Sequence, residues 1–203
     1  MASIALKPMR KCLITLGIRS LSPILFHKPS PDVIASLEEK HRGKKTKDRA
    51  IRVPEDEAEN GCYYTDDGRL AFPGLGLKQS IISAAHKDIG IEKTLVKKAL
   101  FLSSTDSKCH IPFESHSDRI LQKDLVTIGQ GSRDVRYRYR VNEWSASIVF
   151  QIDNELLQPA DLVTLIDRAG FGVGLCDWRP ETGGEYGRFA VDSTVDVRIE
   201  QLT

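Results

Sequence analysis

Apolar residues fall at every second position in four stretches of the chain, and each reads as a strand with one buried face. In the first, Lys11 to Ile18, the residues Cys12, Ile14, Leu16 and Ile18 share a side. In the second, Val135, Tyr137, Tyr139 and Val141 share one side, while Arg136, Arg138 and Arg140 share the other. Trp144, Ala146, Ile148, Phe150 and Ile152 make the third set, and Phe189, Val191, Val195, Val197 and Ile199 the last. Two segments repeat at helical spacing instead. Leu77, Ile81, Ile82, Ala85 and Ile89 follow Pro73, and Leu162, Val163, Leu165, Ile166 and Ala169 follow Pro159, with Gly170 closing the second helix. Val96 to Leu102 reads as a further strand, and Asp67-Gly68 between strand-like flanks marks a hairpin over 63–72. Residues 103–132 carry no long period. A short hairpin is expected there near Leu121 to Ile128, with a turn at Gly129-Gln130-Gly131.

The resulting order is strand, long insertion, helix, strand, strand, helix, strand. It predicts an α+β domain of the ferredoxin-like (RRM-like) kind: an antiparallel sheet with two core helices on one face and the other face open to a ligand. In that frame the arginine-bearing strand belongs to the sheet and its cationic side lies opposite the helices. The insertion, 22–62, holds Pro23, Pro29, Pro31 and Pro54, a basic run from His41 to Arg49 and an acidic run from Glu55 to Glu59. Such a stretch buries little apolar surface by itself and reads as mobile, with a short helix near Pro31 to Lys40. Residues 11–21 and 63–199 form the core of one domain spanning 1–203.

Composition narrows the function without naming it. A net charge of +1 on 203 residues gives no bulk attraction to polyanions, so any nucleic-acid role must come from local clustering of the 29 basic residues. Cys12, Cys62, Cys109 and Cys176 are far apart and form no CxxC pair, as expected of reduced thiols in a cytoplasmic protein. No apolar run is long enough to span a membrane. His27, His41, His86, His110 and His116 are scattered, so neither a metal site, a cofactor nor a catalytic set is expected.

Two features point to an anionic chain as partner. Arg136, Arg138 and Arg140 alternate on one strand about 7 Å apart, close to the spacing of successive phosphates in an extended strand. The same ladder also suits an ion-paired surface facing carboxylates of a neighbouring strand. The second feature is the glycine-rich segment from Gly170 to Gly187. Here the amides of Gly183 and Gly184 can meet phosphate, Arg179 and Arg188 can donate charged hydrogen bonds, and Trp178 and Tyr186 can stack on bases. Alternatively the two rings simply cap the core. The segment is neither a Walker loop nor a dinucleotide fingerprint, because no Gly-Lys-Ser/Thr follows a strand and its glycines follow a helix. Lys44, Lys45 and Lys47 of the basic run are placed to clamp a bound strand.

Phe72-Pro73-Gly74-Leu75-Gly76-Leu77-Lys78-Gln79-Ser80-Ile81 resembles the Pro-rich start of the first helix in the RAMP superfamily of CRISPR RNA-binding proteins. Val173 to Phe189, with Cys176-Asp177-Trp178-Arg179-Pro180 and Gly187-Arg188-Phe189, is similar to a family of uncharacterised tailed-phage proteins. The first resemblance implies a backbone-subunit-like protein holding single-stranded nucleic acid, RNA ahead of DNA, either as many copies along one strand or within a multi-subunit ribonucleoprotein. The second implies a phage or antiviral-defence setting. Two other functions fit the sequence. One is a phage structural protein, or an inhibitor that mimics a RAMP subunit and binds a host complex; the other is a metal-independent ribonuclease.

Overall fold

Cys12, Ile14, Leu16 and Ile18 are all fully buried, and the strand that carries them is the middle of the main sheet in a computed structural model describing residues 8–29, 31–42, 52–128 and 131–202. In chain order the first elements are β1 (Lys11–Ser20), β2 (Ile24–Leu25), α1 (Pro31–His41), α2 (Pro54–Asn60), β3 (Tyr63–Tyr64) and β4 (Leu70–Pro73). There follow α3 (Gly74–Ile89), α4 (Lys93–Ala99), β5 (Leu100–Leu102), β6 (His110–Pro112), β7 (Glu114–Ser115), β8 (Arg119–Ile128) and β9 (Ser132–Val141). Last come β10 (Trp144–Asp153), α5 (Pro159–Arg168), a π-helical turn (Ala169–Val173), a 3-10 turn (Pro180–Thr182), β11 (Phe189–Val191) and β12 (Arg198–Leu202).

The chain is mixed α/β with antiparallel sheets. β10 pairs with β1 in the register Ile14 to Phe150 and Leu16 to Ile148, so their alternating apolar sets fall on one face. β5 extends the sheet beyond β10, and β11 and β12 share the opposite edge of β1. α3 and α5 cover the apolar face, burying Leu77, Ile81, Ile82, Ala84 and Ala85 from one and Leu162, Leu165 and Ile166 from the other. Trp144 packs edge-on against Phe72 and Phe113, with ring centroids 5.9 and 6.0 Å apart, tying this core to the small β3-β4-β6 sheet. The opposite face carries half-buried Leu13, Thr15, Val149 and Gln151, and its exposed Lys11, Arg19 and Arg198 are interspersed with Asp153 and Glu200, so it is mixed in charge.

Several expectations are corrected. The arginine-bearing strand, β9, lies outside the main sheet: it pairs with β8 and β2 in a separate three-stranded sheet, and β10 takes the place next to β1. Val96 and Ala99 belong to a short helix, α4, because a brief apolar run fits either period; only Leu100–Leu102 is strand. The last strand is two pieces, since Asp192 and Val195 rise over Gly17 between them. Residues beyond Gly170 continue as the π-helical turn. Within the insertion, β2 and α2 are ordered parts of the molecule, with Ala58 of α2 fully buried against it. Lys44, Lys45 and Lys47 lie outside the described residues.

Candidate nucleic-acid interface

Register fixes the two faces of the β8-β9 hairpin. Gln122 stands opposite Arg138, Ile120 opposite Arg140 and Asp124 opposite Arg136, so these six share a face. It is the covered face. Arg138 is only 3% exposed, with Nη2 on Asp124 at 2.6 Å and Nη1 on the Asp177 carboxylate. Arg136 Nη1 lies 2.9 Å from His27 Nε2, and Arg140 Nη1 donates to Gln122 Oε1 at 3.2 Å. The expected open ladder is therefore corrected: the protein's own acceptors engage all three guanidinium groups, and Arg138 has no surface left for a phosphate. Alternation shows which residues share a side of a strand. It does not show which side another segment will cover.

That covering segment is the glycine-rich stretch. Asp177 N–H donates to Leu25 O at 3.0 Å and Gly187 N–H to Pro23 O at 2.7 Å, pinning the segment along β2 beside β9. Gln122 Nε2 reaches Tyr186 Oη at 3.1 Å, closing the contact from the β8 side. The two candidate features of the sequence are thus a single structure. The Gly183 and Gly184 amides are spent inside it, on Pro180 O at 2.9 Å and Arg179 O at 3.1 Å, so the expected phosphate contact through them is also corrected. A Cβ at Gly184 would lie 1.8 Å from the Trp178 carbonyl oxygen, and one at Gly187 1.9 Å from that of Leu175, so the chain can fold back on itself here only with glycine.

Trp178 and Cys176 take left-handed backbone, with φ of 48° and 60°, a conformation that costs a side-chain-bearing residue free energy. The Asp177–Arg138 bridge between them and the Tyr186 N–H to Trp178 O bond of 3.1 Å hold that geometry. The result is an indole 45% exposed, tilted 32° against the Tyr186 ring at 5.6 Å and backed by the Arg138 guanidinium at 6.0 Å. Arg179 is tied to Glu181 at 2.9 Å and to Cys176 O at 3.2 Å. Glu181 in turn takes Ser83 and Lys87, and its partners pull its carboxyl down to about 2. Arg188 lies over the exposed Phe171 ring at 4.9 Å, with Glu185 no nearer than 3.8 Å.

The other face of the hairpin is the more open one, and sequence reasoning missed it by placing its tyrosines inward. Lys123 lies 6.0 Å over Tyr137 and Arg119 4.8 Å over Tyr139, with Leu121 exposed between them and Leu125 exposed beyond Lys123. Lys123 and Arg133 make no ion pair among the described residues. α2 seals the free edge of β9, where Glu57 accepts the Tyr137 N–H at 3.2 Å while bonded to Arg52 at 2.8 Å.

Beneath the glycine-rich segment is a cavity of about 290 Å³, between Val173–Asp177 on one side and Pro73, Gly76 and Gln79 at the start of α3 on the other. His27, Tyr63 and Arg179 also line it. The Pro-Gly helix start and the glycine-rich segment, singled out separately in the sequence, are its two walls. No cluster of three or more His, Cys, Asp or Glu able to hold a metal occurs among the described residues, and no described helix is long and apolar enough to cross a membrane. Burial pushes the Cys176 thiol up to about 12, so it stays protonated and unreactive at neutral pH. No protein-family model and no curated protein matches the chain.

Proposed function

We propose that the protein binds single-stranded nucleic acid, RNA ahead of DNA, on the surface where the glycine-rich segment crosses the β8-β9 hairpin. The observation that carries this reading is Trp178: a half-exposed indole in left-handed backbone, held by the bridge from its neighbour Asp177 to the buried Arg138 and paired with a second ring. Strain stored to present an aromatic plate has no use to the core, which is complete without it. A stacking plate of this kind serves any base, because every base has a π face. Arg188, which follows the glycine-rich segment and lies over Phe171, and Lys123 and Arg133, on the opposite face of the hairpin, supply charge for a strand that runs from the indole round the hairpin. Arg136, Arg138 and Arg140 support the surface from beneath.

The order of the main sheet, β11/β12 then β1, β10 and β5, with α3 and α5 on one face, supports a ferredoxin-like frame. In that frame β1, β5, β10 and the β11/β12 pair are the four strands, and the hairpin is an elaboration ahead of the third. Leu121 and Leu125, exposed by 37% and 64%, favour a second reading in which the hairpin meets another protein.

Labelled single-stranded RNA, single-stranded DNA and duplex, titrated at low and physiological salt, separate the two. Nucleic-acid binding predicts preference for single strands and a loss of about tenfold in affinity for Trp178→Ala with little change in thermal stability. If single strands bind no better than duplex, or Trp178→Ala binds as well as the parent, the protein-docking reading takes its place.

A further inference from the structure

The cavity behind Trp178 has a chemistry different from the surface in front of it. Its charged groups are already committed: Asp177 to Arg138, and Arg179 to Glu181 and the Cys176 carbonyl. Ser80 donates to Ala169 O at 3.4 Å. What remains are neutral groups that can hydrogen-bond. Half-buried Tyr63 and exposed Gln79 line the cavity with side chains that have no hydrogen-bond partner among the described residues. Pro73, Val173 and Leu175 add apolar wall. A lining with its charges neutralised repels phosphate less than it ignores it, but it suits a flat, uncharged ring whose edge carries donors and acceptors. A glutamine amide matches such an edge with two parallel hydrogen bonds.

We infer that this cavity receives one nucleobase, with Gln79 and Tyr63 reading its edge. The inference rests on the nucleic-acid reading for its source of bases. Asp177 and Arg179 line the cavity and flank Trp178 in the chain, so a strand stacked on the indole passes the cavity mouth with its neighbouring nucleotide. At about 290 Å³ there is room for one base and not for a stacked pair with their sugars. His27 stands at the mouth with its ring held by Arg136, so that rim is fixed before a ligand arrives.

The test uses the full chain and two sets of probes: AMP, GMP, CMP and UMP by calorimetry, and single-stranded RNA with 2-aminopurine at successive positions by fluorescence. One position should brighten on binding as its base leaves the stack. The mononucleotides should differ in affinity by about tenfold between the best and the worst, and Gln79→Ala should erase that difference. Tyr63→Phe, which removes a single oxygen, should narrow it and guards against a folding defect in the first variant. Trp178→Ala should weaken the oligonucleotide and leave the mononucleotides alone. If RNA binds, no position brightens and the mononucleotides show no preference, the base pocket is overturned and the nucleic-acid reading stands. If a mononucleotide binds selectively and no oligonucleotide does, the pocket stands as a free-nucleotide site and the nucleic-acid reading fails. If neither binds, both are overturned.

Discussion

Arg138 is 3% exposed and joined to two carboxylates, yet its Nε, like that of Arg140, is buried without an acceptor. Burying a guanidinium in this way returns less stability than a well-packed apolar side chain, so its placement makes sense as a positioning device for Asp177 and, through it, Trp178. Removing only the cation leaves the Asp124 and Asp177 carboxylates without their counter-charge, Asp124 keeping only the Gln122 amide. Arg138→Met should therefore lower stability by about 3 kcal/mol in urea denaturation, far more than the loss of a surface charge. Arg136→Gln, whose partner is an imidazole at the surface, should cost under about 1 kcal/mol in the same assay. The ladder was legible in the sequence as three cations on one side of a strand. Their partners Asp177 and His27 were not, because they arrive from 39 and 109 residues away. His27 adds a pH dependence. Its imidazole is held below the ordinary value, first by desolvation and then by the facing charge of Arg136, against smaller opposing effects of Asp177 and Glu57. The unfolded chain thus takes up this proton more readily than the folded one, so the contribution of His27 is full above about pH 6.5 and is lost as pH falls toward the folded-state value. Between pH 7.5 and 5, His27→Gln should lose less melting temperature than the parent, and an equal loss would remove His27 as the cause.

β1, α3, β10 and α5 were readable from periodicity because each buries one uninterrupted face against the same core, so local pattern and tertiary environment agree. The β8-β9 hairpin broke that agreement. Tyr137 and Tyr139 looked like core residues, but in this separate three-stranded sheet only the Val141 end of that face meets the core, with Tyr139 at its margin, and Lys123 and Arg119 lie over the two rings. On the opposite side the glycine-rich segment supplies what a core would, through Asp177, Trp178 and Tyr186. These two elements therefore stand or fall together. Gly184→Ala would drive a Cβ to within 1.8 Å of the Trp178 oxygen, so the segment must open. The expected result is a loss of nucleic-acid affinity equal to or greater than that of Trp178→Ala, with a shift in tryptophan fluorescence, because Trp178 changes surroundings and Trp144 stays 1% exposed in the core. Unchanged emission together with unchanged affinity would mean that the rigid loop is not what presents the indole.

With a net charge of +1, the molecule as a whole neither attracts nor repels a polyanion, so the proposed interface would have to supply every favourable electrostatic contact locally. Most of the guanidinium groups near it are already used: Arg52, Arg119, Arg138 and Arg179 each bridge the protein's own carboxylates. Lys123, Arg133 and the loosely held Arg188 remain. Three phosphate contacts on a single strand correspond to a slope of about −2 in log affinity against log salt, shallow beside proteins that bind chiefly through charge, with stacking on Trp178 and Tyr186 carrying the rest. Converting Lys123, Arg133 and Arg188 together to glutamine should flatten that slope toward zero while leaving a weak, salt-insensitive affinity. The clamp expected of Lys44, Lys45 and Lys47 enters the same measurement: if those lysines grip the strand, the parent slope steepens to about −4, and Lys→Ala at all three returns it to about −2. A slope that stays steep after both sets of substitutions would place the charge contacts on some other surface of the protein and take the hairpin out of the interface.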